Sequence, residues 1–215
     1  MPDLRYAALL LALHVGASAA ADINDCPVHP GTMCIQFNLK SAQLAGADLN
    51  QADLSQSDLS GADFRKANLR HARLSHSDLD AADLRGADLG EANLSGASLR
   101  SADLRGAQLS DANLHDADLA GATLTAAQLA GVDLSIAHLD AAHLQNVNLR
   151  QANLSGAVLD NSNLRGADLT GANLNNASLR GADLTGAVVT EVDFSQADLR
   201  SCKGCPRTTN VRGAR

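Results

Sequence analysis

Residues 45–64 read AGADLNQADLSQSDLSGADF, and the same phrase runs on without a slip to FSQADLR at 194–200. An apolar residue recurs at every fifth position from Leu39 to Leu199, which makes 33 pentapeptides. Thirty of the central residues are Leu; the exceptions are Phe64, Val189 and Phe194. Two residues before the centre stands, nearly always, Ala, as at Ala42, Ala47 and Ala52. A period of five suits neither regular element. On an α-helix turning about 100° per residue, five steps drift by about 140°, so the leucines would spiral round every side. On a flat strand an odd period sends successive leucines to opposite faces. A common interior is left only to a chain that turns a corner once per repeat. Gly fills the last position of 12 repeats, Gly46, Gly61 and Gly86 among them, which suits corners with unusual backbone angles.

The tandem A-[DN]-L-x-x consensus, held over about three-quarters of the chain, resembles the pentapeptide-repeat family. The resemblance implies an all-β fold, a right-handed quadrilateral β-helix with four repeats per coil. That gives about eight coils, stacked into a rod on the order of 40 Å long. Residues 37–201 are the solenoid, and the flanks divide into 1–21, 22–36 and 202–215.

The first of these reads as a secretory signal peptide. Arg5 and the amino terminus outweigh Asp3, Ala7 to Val15 form a short apolar core, and GASAAA at 16–21 offers an Ala-x-Ala cleavage site. These nine residues, His14 among them, are too few to span a bilayer, so no membrane span is expected once the signal is cleaved. The expected location is therefore periplasmic or secreted. At the other end PRTTNVRGAR, at 206–215, is polar and basic and reads as a solvated tail.

The four cysteines sit at the two ends, Cys26 and Cys34 before the repeats, Cys202 and Cys205 after them. Four cysteines allow three connectivities. On a rod of the implied length, only Cys26–Cys34 and Cys202–Cys205 lie within the roughly 7 Å that a disulfide tolerates between Cα atoms. In register, Cys34 takes the place of a central Leu and Cys202 that of an inward Ala, so each pair would close an open end. A metal site at Cys26, His29 and Cys34 would have three ligands where structural zinc takes four. CKGC at 202–205 has the spacing of a thioredoxin-like redox pair but lacks the helix-bearing α/β fold around it. Structural disulfides are the expectation, in keeping with export.

Composition narrows function by exclusion. The chain is 45% apolar but only 2% aromatic, with no Trp, 19% charged residues and a net charge of −7. An acidic balance argues against a nucleic-acid partner. If residues twenty apart stack, Arg65, Arg85 and Arg105 form one column beside Asp63, Asp83 and Asp103, a face that neutralises itself or a basic strip for an acidic partner. The other three faces are acidic, and from Lys40 to Arg200 the outward residues carry 12 positive and 21 negative charges. From Ala120 to Val132 there is no charge at all. Thr123, Thr125 and Gln128 in that stretch, with Ile136 beyond it, are the candidate contact for a partner protein. His71, His76, His115, His138 and His143 never fall twenty apart, no Ser or Cys has a base placed by a recognisable motif, and no phosphate loop occurs. The expectation is a non-enzymatic, exported structural or protein-binding scaffold that needs no cofactor. The alternative is a DNA mimic that binds a type II topoisomerase, as some members of the family do. Against it stand the near-absence of Phe centres, the lack of an apolar C-terminal helix and the export signal.

Overall fold

A computed structural model describes residues 23–206. The signal expected over 1–21, and the tail from Arg207 onward with Arg212 and Arg215, lie outside the described residues. The repeats pair in parallel at a fixed offset of twenty, Asn38 with Asp58, Gln43 with Asp63, and so on to Asp183 with Lys203. Four pentapeptides therefore complete one coil, and the coils stack into a four-sided β-helix. Face 1 carries the centres Leu39 to Leu199, face 2 Leu44 to Leu184, face 3 Leu49 to Val189, and face 4 Cys34 to Phe194, each in steps of twenty.

Three backbone hydrogen bonds per repeat join neighbouring coils. The Leu39 amide donates to the Asp58 carbonyl (2.7 Å), the Ser41 amide to the Ser60 carbonyl (2.9 Å), and the Asp58 amide returns to the Phe37 carbonyl (2.9 Å). A fourth bond closes the corner inside the repeat, as where the Ala42 amide donates to the Leu39 carbonyl (3.0 Å). The third residue of this turn must be left-handed, as in a type II turn. All 33 last positions obey, with φ between 51° and 75°. The twelve glycines fit freely, and the other 21 residues adopt the same angle at a cost of about 1–2 kcal/mol each. Glycine eases the corner, but the stacking of coils imposes it.

Inside, the central Leu and the Ala two residues before it are shut off from water throughout the middle coils. Small Ala lets the walls approach, and each Leu packs on those of the coils above and below. Replacing one such Leu by Ala would cost about 2–5 kcal/mol. Three inward positions hold Ser instead. Ser77 and Ser162 each donate to the carbonyl of the central Leu in their own turn, Leu74 and Leu159 (both 2.7 Å), which also accepts a backbone amide. Ser57 does something different. Its hydroxyl donates to the Cys34 carbonyl (2.8 Å) and accepts from the Phe37 amide (3.0 Å), so it bridges the two ends of the Cys34–Phe37 corner.

The ends differ. Residues 23–30 precede the ladder, which begins where the Gly31 amide donates to the Asn50 carbonyl (2.7 Å); Ile23 and Cys26 exchange backbone bonds and Asn24 Nδ2 donates to the Asn38 carbonyl (2.8 Å). Cys26 and Cys34 are joined, with Cα atoms 5.6 Å apart, and Cys34 occupies a Leu site on face 4. At the far end Cys202 and Cys205 are joined, with Cα atoms 5.8 Å apart. There Val188 is 46% exposed and Val189 is half-buried, so this end of the core is less fully covered.

Removing the Ser57 hydroxyl leaves a buried carbonyl and a buried amide unpaired. Ser57→Ala is expected to destabilise the fold by about 1–3 kcal/mol, whereas Ser77→Ala should change it by less than about 0.5 kcal/mol. Equilibrium denaturation of the two variants side by side checks this, and equal losses would contradict the bridging role.

Candidate interaction surface

The residue before each centre points outward, and its chemistry follows from the corner next to it. Two residues on, an amide faces away from the turn and lacks a partner within the repeat. Asp or Asn before the centre supplies one through its side-chain oxygen: Asp58 Oδ1 accepts from the Ser60 amide (3.0 Å) and Asn93 Oδ1 from the Ser95 amide (3.0 Å). Among the 33 repeats, 22 have Asp or Asn there, and every one makes this bond. The consensus acid or amide is a cap, comparable to a helix N-cap. Where Ser stands instead, at Ser98 and Ser178, a carboxylate from the preceding coil takes over. Asp80 accepts from the Ser98 hydroxyl (2.5 Å) and the Arg100 amide (2.9 Å). Asp160 accepts from the Ser178 hydroxyl and from the amide (3.1 Å) and Nε (2.8 Å) of Arg180. Burial pushes the Asp160 carboxyl up, but these donors more than offset it and its pKa is lowered.

Nine positions are left uncapped, and six of them, Gln108, Thr123, Gln128, His138, His143 and Val158, fall in the middle coils. They wrap faces 1, 2 and 3, while face 4 keeps its caps at Asn113, Asp133 and Asn153. Thr123 and Thr125 lie half-buried on face 2, and Gln128 lies round the next corner on face 3. Thr125 Oγ1 donates to Gln145 (3.1 Å), and Asn148 Nδ2 donates to Gln128 (3.1 Å). These three residues form one neutral, hydrogen-bonding patch. Ile136 does not join it: it sits on the corner between faces 4 and 1, diagonally across the rod from Ala126. It is 46% exposed and holds a left-handed φ of 51°, the one β-branched residue at such a corner.

The arginine column is not a free basic strip. Arg65 forks onto Asp63, with Nε at 2.8 Å and Nη2 at 2.5 Å, and Nε also approaches Asp83 of the next coil (3.6 Å). Arg85 repeats this with Asp83 and Asp103, and Arg105 ends the ladder on Asp103 (2.5 Å). Thr123 occupies the next rung, so the ladder stops where the neutral patch begins. The Arg65 guanidinium holds the Asp63 pKa at about 2, and Arg85 and Arg105 likewise lower Asp83 and Asp103. Elsewhere His71 does approach Glu91 of the next coil (3.6 Å). Asp118 and His138 also pair across neighbouring coils, but their side chains turn elsewhere, Asp118 to Arg100 (2.7 Å) and His138 toward Asp140 (3.8 Å).

Among the described residues no group of three His, Cys, Asp or Glu is placed to hold a metal ion, and no helix is long and apolar enough to cross a membrane. A shallow depression on face 1 is lined by Asp160, Asn161, Arg180, Gly181, Arg200 and Ser201. Its two guanidiniums are already held by Asp160 and Asp198.

The family model described as pentapeptide repeats matches in eight copies, over residues 38–75, 77–116, 102–137, 137–176 and 167–203. The chain belongs to the pentapeptide-repeat family. Its fold is the right-handed quadrilateral β-helix of that family. Among solved structures, full-length QnrB1, a plasmid-mediated fluoroquinolone resistance protein, is 19% identical with a TM-score of 0.63, over 80% of this chain and 90% of its own. HetL, involved in heterocyst differentiation regulation in the cyanobacterium Nostoc sp. PCC 7120, is 33% identical with a TM-score of 0.45, over 81% of this chain and 90% of its own. No curated protein matches the chain.

Two outcomes follow from the caps and the ladder. Asp160→Ala should destabilise by about 1–2 kcal/mol, the usual worth of a cap, and Ser178→Asp should restore most of it in the double variant. Thermal melts of the single and double variants decide this, and additive losses would show that Asp160 does not act as the missing cap. For the ladder, the folded pKa of Asp63 lies below its ordinary value of 3.8. Its contribution is therefore present above pH of about 4 and lost as pH falls toward about 2. Melting temperature should drop through that window, and Asp63→Asn should flatten the drop.

Proposed function

We propose that this pentapeptide-repeat scaffold is an exported, non-enzymatic protein-interaction module. Its contact surface is the neutral patch at Thr123, Thr125 and Gln128. One observation carries the reading: the caps lapse together in the middle coils, on the same coils where charge disappears. Stability alone would place Asp or Asn at 108, 123, 128 and 143, as it does in two-thirds of the repeats. Giving up four neighbouring caps for Thr, Gln and His favours a constraint other than folding. The partner surface that fits is polar and uncharged, because these side chains offer it hydrogen bonds and no ion pairs. The arginine ladder contributes rigidity, since its cations are already matched.

Export is supported by the sequence of residues 1–21 and by cysteines confined to the two ends. N-terminal sequencing of the protein recovered from the periplasm or medium should begin near Ala20 to Asp22. An intact amino terminus on a cytoplasmic chain would refute export. The three net-acidic faces favour the topoisomerase-binding alternative, and inhibition of supercoiling by the purified chain would establish it instead.

Thr123→Asp with Gln128→Asp restores the consensus cap at both positions. The melting temperature should stay the same or rise, while capture of the partner from a periplasmic extract falls at least about tenfold against wild type. Undiminished capture by a stable double variant would place the contact elsewhere.

A further inference from the structure

The two disulfides are built differently. Cys26 and Cys34 are 2% and 0% exposed, under the folded cap. Cys202 and Cys205 are only partly buried, packed against the end of the core on a loop with Lys203 and Gly204 between them. What holds that loop is largely independent of the sulfur bond. The Cys202 amide donates to the Leu199 carbonyl (3.1 Å), the Lys203 amide to the Ala182 carbonyl (2.9 Å), and the Lys203 carbonyl accepts from the Leu184 amide (2.8 Å). Gly204, at φ 70°, lies so close to the preceding coil that a Cβ there would stand 2.7 Å from the Thr185 amide nitrogen. Gly204, Cys205 and Pro206 make no inter-coil backbone bond among the described residues, so the ladder does not run through the segment the sulfur bond clasps. That bond also closes the shorter of the two loops, so it restricts the unfolded chain less.

The geometry points to Cys202–Cys205 as a thiol–disulfide exchange site for protein dithiols. A partner thiolate attacks Cys205 Sγ, forming a mixed disulfide and expelling the Cys202 thiolate. The partner's second thiolate then attacks its own sulfur in the mixed disulfide and expels the Cys205 thiolate. The partner leaves oxidised by two electrons, the pair on this chain is reduced by two, and the two thiolates take up the two protons the partner released. Lys203 is exposed and makes no ion pair among the described residues, so its charge is free to favour the leaving thiolate. A thioredoxin-like fold is not needed for this step. Exchange requires an accessible sulfur, an incoming thiolate and a stabilised leaving group. The buried amino-terminal pair offers no such access and serves as a fixed closure.

The test uses the full purified chain and a synthetic peptide with two cysteines, which contains nothing for the neutral patch to recognise and so probes this site alone. Wild type should oxidise about one equivalent of peptide per chain. Alkylation and mass spectrometry should then find label on Cys202 and Cys205 and none on Cys26 or Cys34. In graded glutathione buffers the carboxyl-terminal pair should reach half-reduction at a reduced-to-oxidised ratio at least about tenfold lower than the amino-terminal pair. The circular dichroism of the selectively reduced wild type should match that of the oxidised chain. Cys202→Ser with Cys205→Ser should leave the peptide reduced. A peptide that stays reduced with wild type overturns the proposal, as does reduction of both pairs together or loss of the β signal when the second pair opens.

Discussion

Everything in this rod depends on the amide of each central residue finding a carbonyl nineteen residues on. That bond holds at about the same length from Leu39 to Leu184, and it fixes the offset of twenty. With the offset fixed, each repeat must turn one corner, and the last residue of each repeat must be left-handed whatever its side chain. The corner exposes one amide, and the Asp or Asn before the centre covers it. Leu and Ala then have one direction left, inward. The consensus is three consequences of one hydrogen-bond register: a core residue, a cap and a corner.

This order of causes explains what the sequence could disclose. The unbroken fivefold spacing of Leu ruled out helix and flat strand, because neither gives odd-spaced residues a common side. Four-sidedness came from the family resemblance, since a period of five fixes the corner but not how many corners close a coil. The twelve glycines hinted at strained corners, but His71, Ala81 and Ile136 adopt the same angle with no local sign. Only stacking against the neighbouring coils compels them. Asp and Asn were visible as consensus letters while their role was not, because the amide they cover is defined by the turn. Ser57 was illegible for a similar reason. It looks like the Ser at 77 and 162, and only its place behind the Cys34 corner makes it a bridge.

The candidate surface shows the same division. The absence of charge from Ala120 to Val132 is plain in the text, and so is the arginine column. That the column is a closed ladder depends on side-chain reach across coils, where Asp83 serves both Arg65 and Arg85. That Ile136 stands apart from Thr123 depends on which corner each repeat turns. Sequence order placed them thirteen residues apart, and the four-sided coil set them on different sides of the rod.

A repeat protein offers an internal control that other folds lack. Each position is tried many times in nearly the same surroundings, so the residue that stability prefers can be read from the majority. Departures then fall into two kinds. Ser98 and Ser178 depart with a substitute at hand, Asp80 and Asp160 reaching across from the coil before, and the amide stays covered. Those exchanges keep the fold's accounts level and imply nothing further. Gln108, Thr123, Gln128, His138, His143 and Val158 depart with no such substitute, on adjoining coils and three of the four faces. A random loss of caps would scatter over eight coils and four sides. Six of the nine uncapped positions instead gather in the middle coils, where charge also lapses, and that concentration is the ground on which the proposed contact surface rests.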